Sequence, residues 1–114
     1  MKNRLTLAIL VTLIGTGAFA HSETKSTTPS NGAVLEVFPE TIELSFSDGM
    51  RLTKVEVIDA SSNPQILELE GQSGFAKEFS LPVAPMGTGN YQIEWRGLGV
   101  DGHPMNGTFS FEVN

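Results

Sequence analysis

Apolar and polar residues alternate along this chain in short runs, and after residue 20 no stretch sustains the 3.6-residue period of a helix. Thr41 to Ser47 sets Ile42, Leu44 and Phe46 on one face and Thr41, Glu43, Ser45 and Ser47 on the other. Val55 and Val57, with Leu52 before them, repeat the pattern around Lys54 and Glu56. Gln65 to Glu70 alternates through Ile66, Leu67 and Leu69, and Phe75 to Leu81 gives Phe79 and Leu81 a common face that Phe75 and Lys77 share by parity. The two strongest runs come last. Asn90 to Arg96 points Tyr91, Ile93 and Trp95 inward, and Thr108 to Val113 does the same with Phe109, Phe111 and Val113. Period two is the signature of a half-buried strand.

The intervals carry turn chemistry: Pro29 to Gly32, Asp48-Gly49, Ser61 to Pro64, Gly71 to Gly74 and Pro85 to Gly89. Strands at such spacing predict an all-β fold of about seven strands, an immunoglobulin-like sandwich or barrel. Trp95 and the phenylalanines must fill its core, because the chain has no cysteine for an inter-sheet disulfide. Residues 22–28 are polar and rich in Ser and Thr, which fits a weak edge strand or an extended arm. No internal repeat and no linker divides the sequence.

The first 20 residues change the picture of where the chain works. Lys2 and Arg4 precede an apolar run from Leu5 to Ile14, broken only by Thr6 and Thr12, and Ala18-Phe19-Ala20 reads as a signal-peptidase site. The run is shorter than the ~20 residues that cross a bilayer. Residues 1–20 are therefore expected to be a cleaved signal peptide, and residues 21–114 a single domain of 94 residues. An oxidising compartment, best matched by a bacterial periplasm, is the expected destination. Cleavage leaves five basic against thirteen acidic residues, a net charge of −8. That disfavours nucleic acid and anionic membrane surfaces, which attract basic patches. It suits a cationic ligand.

The candidate chemistry rests on two histidines, the only ones in the chain. Cleavage after Ala20 gives His21 a free α-amino group beside its imidazole, so one residue offers two nitrogens. His103 lies in Asp101-Gly102-His103-Pro104, a loop flanked by Gly97, Gly99, Gly102 and Gly107 that precedes the last strand. Asp101 and His103 are two apart, so on an extended segment they share a face. Taken singly, His21 reads as a free terminal residue and His103 as an exposed loop histidine. Taken together with Asp101, the metal reading is the stronger. An amine and two imidazoles, completed by a carboxylate or water, suit the tetragonal preference of Cu(II). Structural zinc sites favour tetrahedral sets, often with thiolates, and calcium or magnesium would ask for an all-oxygen shell.

Other chemistry has a thinner basis. Met50, Met86 and Met105 are scattered with no Met-rich run, so no dedicated Cu(I) thioether site is spelled out. Met50 and Met86 read as gap-fillers; Met105, two residues after His103, is placed to flank the metal, although a core or loop role is the stronger reading. No Gly-x-Ser-x-Gly elbow exists, Glu68 and Glu70 read as a solvated strand face, and Gly97-Leu98-Gly99 lacks the helix of a phosphate cradle. Two rivals stand beside a copper-binding protein. One is a copper-dependent oxidative enzyme using the same histidine brace; the other is an adhesion- or chaperone-like sandwich with incidental histidines.

With these residues in hand, 21–114 closely resembles the CopC family of periplasmic copper-binding proteins. The likeness runs through the post-cleavage His21, Ser26 to Gly32, Pro39 to Ser47, Gly87 to Arg96 and Asp101 to Gly107. The Asp101-to-Gly107 segment, combined with a mature N-terminal histidine, is its specific part. The resemblance implies a Greek-key β-sandwich that holds one Cu(II) ion at one end through His21, Asp101 and His103. It further implies an acidic residue near the site after the Phe-Ser of the second strand. Asp48 holds that place, with a shorter side chain than the glutamate of some relatives. Two-site relatives carry a Met- and His-rich Cu(I) loop that Arg51 to Gln65 does not reproduce, so the resemblance stops short of Cu(I)/Cu(II) transfer within one protein. A monomer is expected, working with a separate inner-membrane copper importer of the CopD type.

Overall fold

A computed structural model describes residues 24–69 and 74–114. Among the described residues there is no helix. Seven strands form in order: β1 (Thr24–Thr28), β2 (Ala33–Leu35), β3 (Thr41–Ile58), β4 (Pro64–Ile66), β5 (Ala76–Pro82), β6 (Gly89–Gly99) and β7 (Pro104–Val113). They curl into a single sheet with the path β1-β3-β6-β7-β2, to which β4 and β5 attach through β3. All pairings are antiparallel except β2 with β7, which is parallel.

β3 organises the fold. Its first half lies between β1 and β5, while its second half, from Met50 onward, pairs with β6 along its length and with β4 near its end. Asp48-Gly49, which reads as a turn in the sequence, does not end the strand. It lies where β3 passes from one set of partners to the other, within the irregularity that separates the Ser45↔Glu78 and Met50↔Ala76 pairs. Leu52 and Val55 are both buried although their spacing breaks the period of two. A bulge between Leu52 and Lys54 in the β3–β6 ladder supplies the extra residue and flips the parity.

The inward faces predicted for the strongest runs hold. Ile42, Leu44, Phe46, Val55, Val57, Tyr91, Ile93, Trp95, Phe109, Phe111 and Val113 all belong to one buried cluster. Phe46 meets Trp95 edge-on with ring centres 5.0 Å apart, and Tyr91 stacks on Phe111 at 5.5 Å. Losing one of the large side chains to alanine costs about 3–5 kcal/mol, a large part of the roughly 5–15 kcal/mol that holds a domain folded. The Tyr91 hydroxyl is aimed back at the carbonyls of Met86 and Gly87, at 2.8 and 2.9 Å, and pins the turn before β6. Burial first, then the charge of Asp59, hold its phenol above the ordinary value of 10.0, so it stays a donor at neutral pH.

Three expectations need correction. The strand read over Gln65 to Glu70 is confined to Pro64–Ile66, and Ile66 is exposed while Leu67 is buried. Adjacent residues of a strand face opposite ways, so Ile66 and Leu67 cannot both enter the core. Glu70 lies outside the described residues. Phe75 shares parity with Phe79 yet is exposed, because it precedes β5 and the ladder is irregular at that end. The glycine-flanked loop before the last strand is much shorter than it reads. Gly97 and Gly99 belong to β6 and Gly107 to β7, each at a point of close packing.

Candidate metal centre

The β6–β7 hairpin narrows to four residues, Val100, Asp101, Gly102 and His103. The Gly102 N–H donates to Gly99 O at 2.9 Å, and the Gly99 N–H donates to His103 O at 3.0 Å. Gly102 adopts φ +81, the left-handed region where glycine carries no steric penalty. Asp101 then closes the turn on itself. Its Oδ1 accepts the His103 backbone N–H at 3.1 Å, and its Oδ2 lies 2.8 Å from His103 Nδ1.

This arrangement selects a tautomer. A carboxylate can only accept, so the ring hydrogen sits on Nδ1, and neutral His103 keeps its lone pair on Nε2. The side chains of His103 and Asp101 are 71% and 57% exposed, which leaves the lone pair open to solvent. The hydrogen bond and the charge of Asp101 raise the His103 pKa above 6.5, while the hydrogen bonds from His103 hold the Asp101 carboxyl below 3.8. Asp101 thus orients the imidazole in the way second partners orient metal-ligating histidines. Its remaining lone pairs are also of the kind that ligate a metal.

β3 passes beside this hairpin. A Cβ placed on Gly49 would lie 3.1 Å from Val100 Cγ1 and 3.8 Å from Phe75 Cβ. Asp48, exposed and next in sequence to that contact, is therefore on the strand segment that flanks the hairpin. Among the described residues, however, no three His, Cys, Asp or Glu converge as a metal-holding group, so Asp48 is not drawn into a cluster with Asp101 and His103. His21 lies outside the described residues. β1 enters at Thr24, paired with Phe46, two residues along β3 from Asp48. Of the four residues singled out in the sequence, the structure brings Asp101 and His103 into contact and sets Asp48 on the neighbouring strand.

Met105 is the further neighbour of this pair. A Cβ on Gly99 would meet Asp101 Oδ1 at 3.0 Å and Met105 Sδ at 3.2 Å, so carboxylate and thioether share the space that this glycine leaves. The closeness of Met105 to His103 is visible in the sequence, but the shared space depends on how β6 lies against β7. A groove of about 330 Å³ lies elsewhere, lined by Ser26, Thr28, Glu43, Ser45, Glu78 and Ser80 among others, and includes neither Asp101 nor His103. The histidine–aspartate pair stands exposed in the tight turn between β6 and β7.

Comparison with known proteins places this architecture. The CopC domain family matches residues 24–114. Copper resistance protein C of Escherichia coli is 29% identical, with 91% of this chain and 90% of that protein covered. Protein YobA of Escherichia coli K12 is 28% identical, covering 96% and 93%. Among solved structures, CopC from Methylosinus trichosporium OB3b superposes with a TM-score of 0.70 over 82% of this chain and 94% of that one, a likeness of fold at 21% identity. PcoC, a methionine-rich copper resistance protein from Escherichia coli, is 28% identical and superposes at 0.57 over 83% of this chain and 100% of that one. With its curled seven-stranded sheet and the Asp101–His103 hairpin inside the matched segment, the chain belongs to the CopC family.

Proposed function

We propose that this chain is a periplasmic protein that binds one Cu(II) ion and sequesters or carries it, for copper tolerance or delivery. The observation that carries the reading is the Asp101–His103 contact, which fixes an exposed imidazole with Nε2 free to take a metal. His21 supplies the remaining nitrogens once residues 1–20 are removed. It stands three positions before Thr24 at the start of β1, a reach of at most about 10–11 Å in extended chain. From beside Phe46, that reach is long enough for the two-residue step along β3 to Asp48. The amine and two imidazoles are a donor set for the tetragonal Cu(II) ion, with Asp101 or Asp48 available as the oxygen donor.

The relatives named as copper resistance proteins support copper as the cargo. An exposed tip is also better suited to taking up and handing on an ion than to holding a substrate for turnover, which favours binding over oxidative catalysis. The chain acts as a monomer, and a separate membrane transporter of the CopD type is its proposed exchange partner. The test is a Cu(II) titration of mature protein, with the N-terminus verified by mass, followed by electron paramagnetic resonance. One equivalent should bind with an axial, nitrogen-rich spectrum, and His103→Ala should abolish that spectrum. A mature protein that takes up no stoichiometric Cu(II) would refute the reading.

A further inference from the structure

Met105 stands where a core residue of the last strand would be expected, and its half-buried side chain does pack against the core. Its sulfur, however, is at the metal end of the sandwich. Asp101 Oδ1 and Met105 Sδ lie 3.0 and 3.2 Å from the same point over Gly99, so the two atoms are at most about 6 Å apart. The other Asp101 oxygen holds His103 Nδ1 at 2.8 Å. A carboxylate oxygen and a thioether sulfur thus meet over one glycine, and the same carboxylate orients the ring whose Nε2 is free. Gly99 leaves room for this, since a Cβ there would crowd both the carboxylate and the thioether. Met50 offers an instructive contrast. Its sulfur lies against Gly97, two residues before Gly99 on the same strand, but Met50 is 1% exposed and packs in the core.

We propose that Met105 is a soft donor of this centre, through which the site retains copper as Cu(I) as well as Cu(II). Thioether sulfur prefers the monovalent ion, whereas the amine, imidazole and carboxylate groups suit the divalent one. The unbranched methionine side chain has three rotatable bonds, so its sulfur can close the remaining distance without moving β7. Met105 is a single thioether beside harder donors, which is why no methionine run marks it in the sequence. The inference rests on the proposed Cu(II) site and adds a residue and an oxidation state to it.

The test uses mature protein and three forms: wild type, Met105→Leu and Met50→Leu. Leucine keeps the volume of methionine, so both variants should fold. Anaerobic competition with a chromophoric Cu(I) chelator reads Cu(I) affinity, and copper-edge X-ray absorption reads a Cu–S contact. Wild type with Cu(I) should show one sulfur neighbour. Met105→Leu should lose it and weaken Cu(I) binding by about tenfold or more, the scale seen when a group supporting a metal is removed. Cu(II) affinity should fall by less than Cu(I) affinity in Met105→Leu, and Met50→Leu should match wild type in both states. Absence of a sulfur neighbour in wild type, or equal Cu(I) affinity in Met105→Leu, overturns the role of Met105 while leaving Cu(II) binding standing. Failure of wild type to bind Cu(II) overturns the parent reading instead.

Discussion

At the residue scale, the molecule's most specific feature is a carboxylate that uses both oxygens on one histidine. The spacing of Asp101 and His103 is visible in the sequence, and so is the turn-forming glycine between them. What the spacing does not reveal is that the carboxylate bonds Nδ1 and leaves Nε2 outward. The contact also shifts both groups, Asp101 downward and His103 upward. His103 contributes stability fully below 6.5 and loses it as pH rises through its raised value. Asp101 contributes above 3.8 and loses it as pH falls through its lowered value. Both contributions are complete between 3.8 and 6.5, and exposure keeps them small. Asp101→Asn should therefore bring the His103 pKa back down toward 6.5, which a proton NMR titration of metal-free protein measures directly. An unchanged midpoint would mean that the contact does not persist in solution. The same substitution should weaken Cu(II) binding by about 10–100-fold if Asp101 orients the imidazole, and leave the β-sheet spectrum intact.

At the element scale, β3 and the β6–β7 hairpin decide the architecture, and they differ in how readable they are. The cores of β6 and β7 follow from Tyr91, Ile93, Trp95, Phe109 and Phe111, because large apolar residues at period two leave one face to bury. β3 defeats that logic twice. It continues through Asp48-Gly49, because the turn chemistry there serves a change of partners, and its bulge after Leu52 reverses which parity points inward. Neither event has a local signal, since both are set by the strands alongside. The glycines tell the same story. Gly107 reads as a loop residue, yet a Cβ there would lie 2.6 Å from Trp95 Nε1, opposite its cross-strand partner. Gly107→Ala should destabilise the fold by about 1–3 kcal/mol through overpacking, seen as a lower thermal midpoint and altered near-ultraviolet dichroism of Trp95. A midpoint equal to wild type would show that the indole can move aside. Tyr91→Phe removes the bond to Met86 and Gly87 and should cost about 1 kcal/mol in denaturant unfolding, with the slope of the transition unchanged.

At the scale of the whole molecule, the sandwich serves to bring distant segments to one end. His103 stands 82 positions after His21 in sequence, and only the fold can unite them. β1 runs antiparallel to the first half of β3, so its N-terminal end leads toward Asp48, while Gly49 abuts Val100 of the hairpin. Copper occupancy should fall as the solution is acidified, because the amine and both imidazoles must be neutral to bind and protons compete for them. Loss should occur well below the ordinary imidazole and amine values of about 6.5 and 7.7–8.0, since the bound metal opposes protonation. Occupancy that persists unchanged in strong acid would argue against nitrogen ligation. The most direct measurement compares two chains that differ only at the front: mature protein beginning at His21, and the same protein with one additional residue before it. Both keep the His21 imidazole, but only the first has its α-amine on that residue. Cu(II) affinity should drop strongly in the extended chain and the resonance spectrum should lose nitrogen character. Equal affinity and an identical spectrum would contradict a site built on the N-terminal histidine.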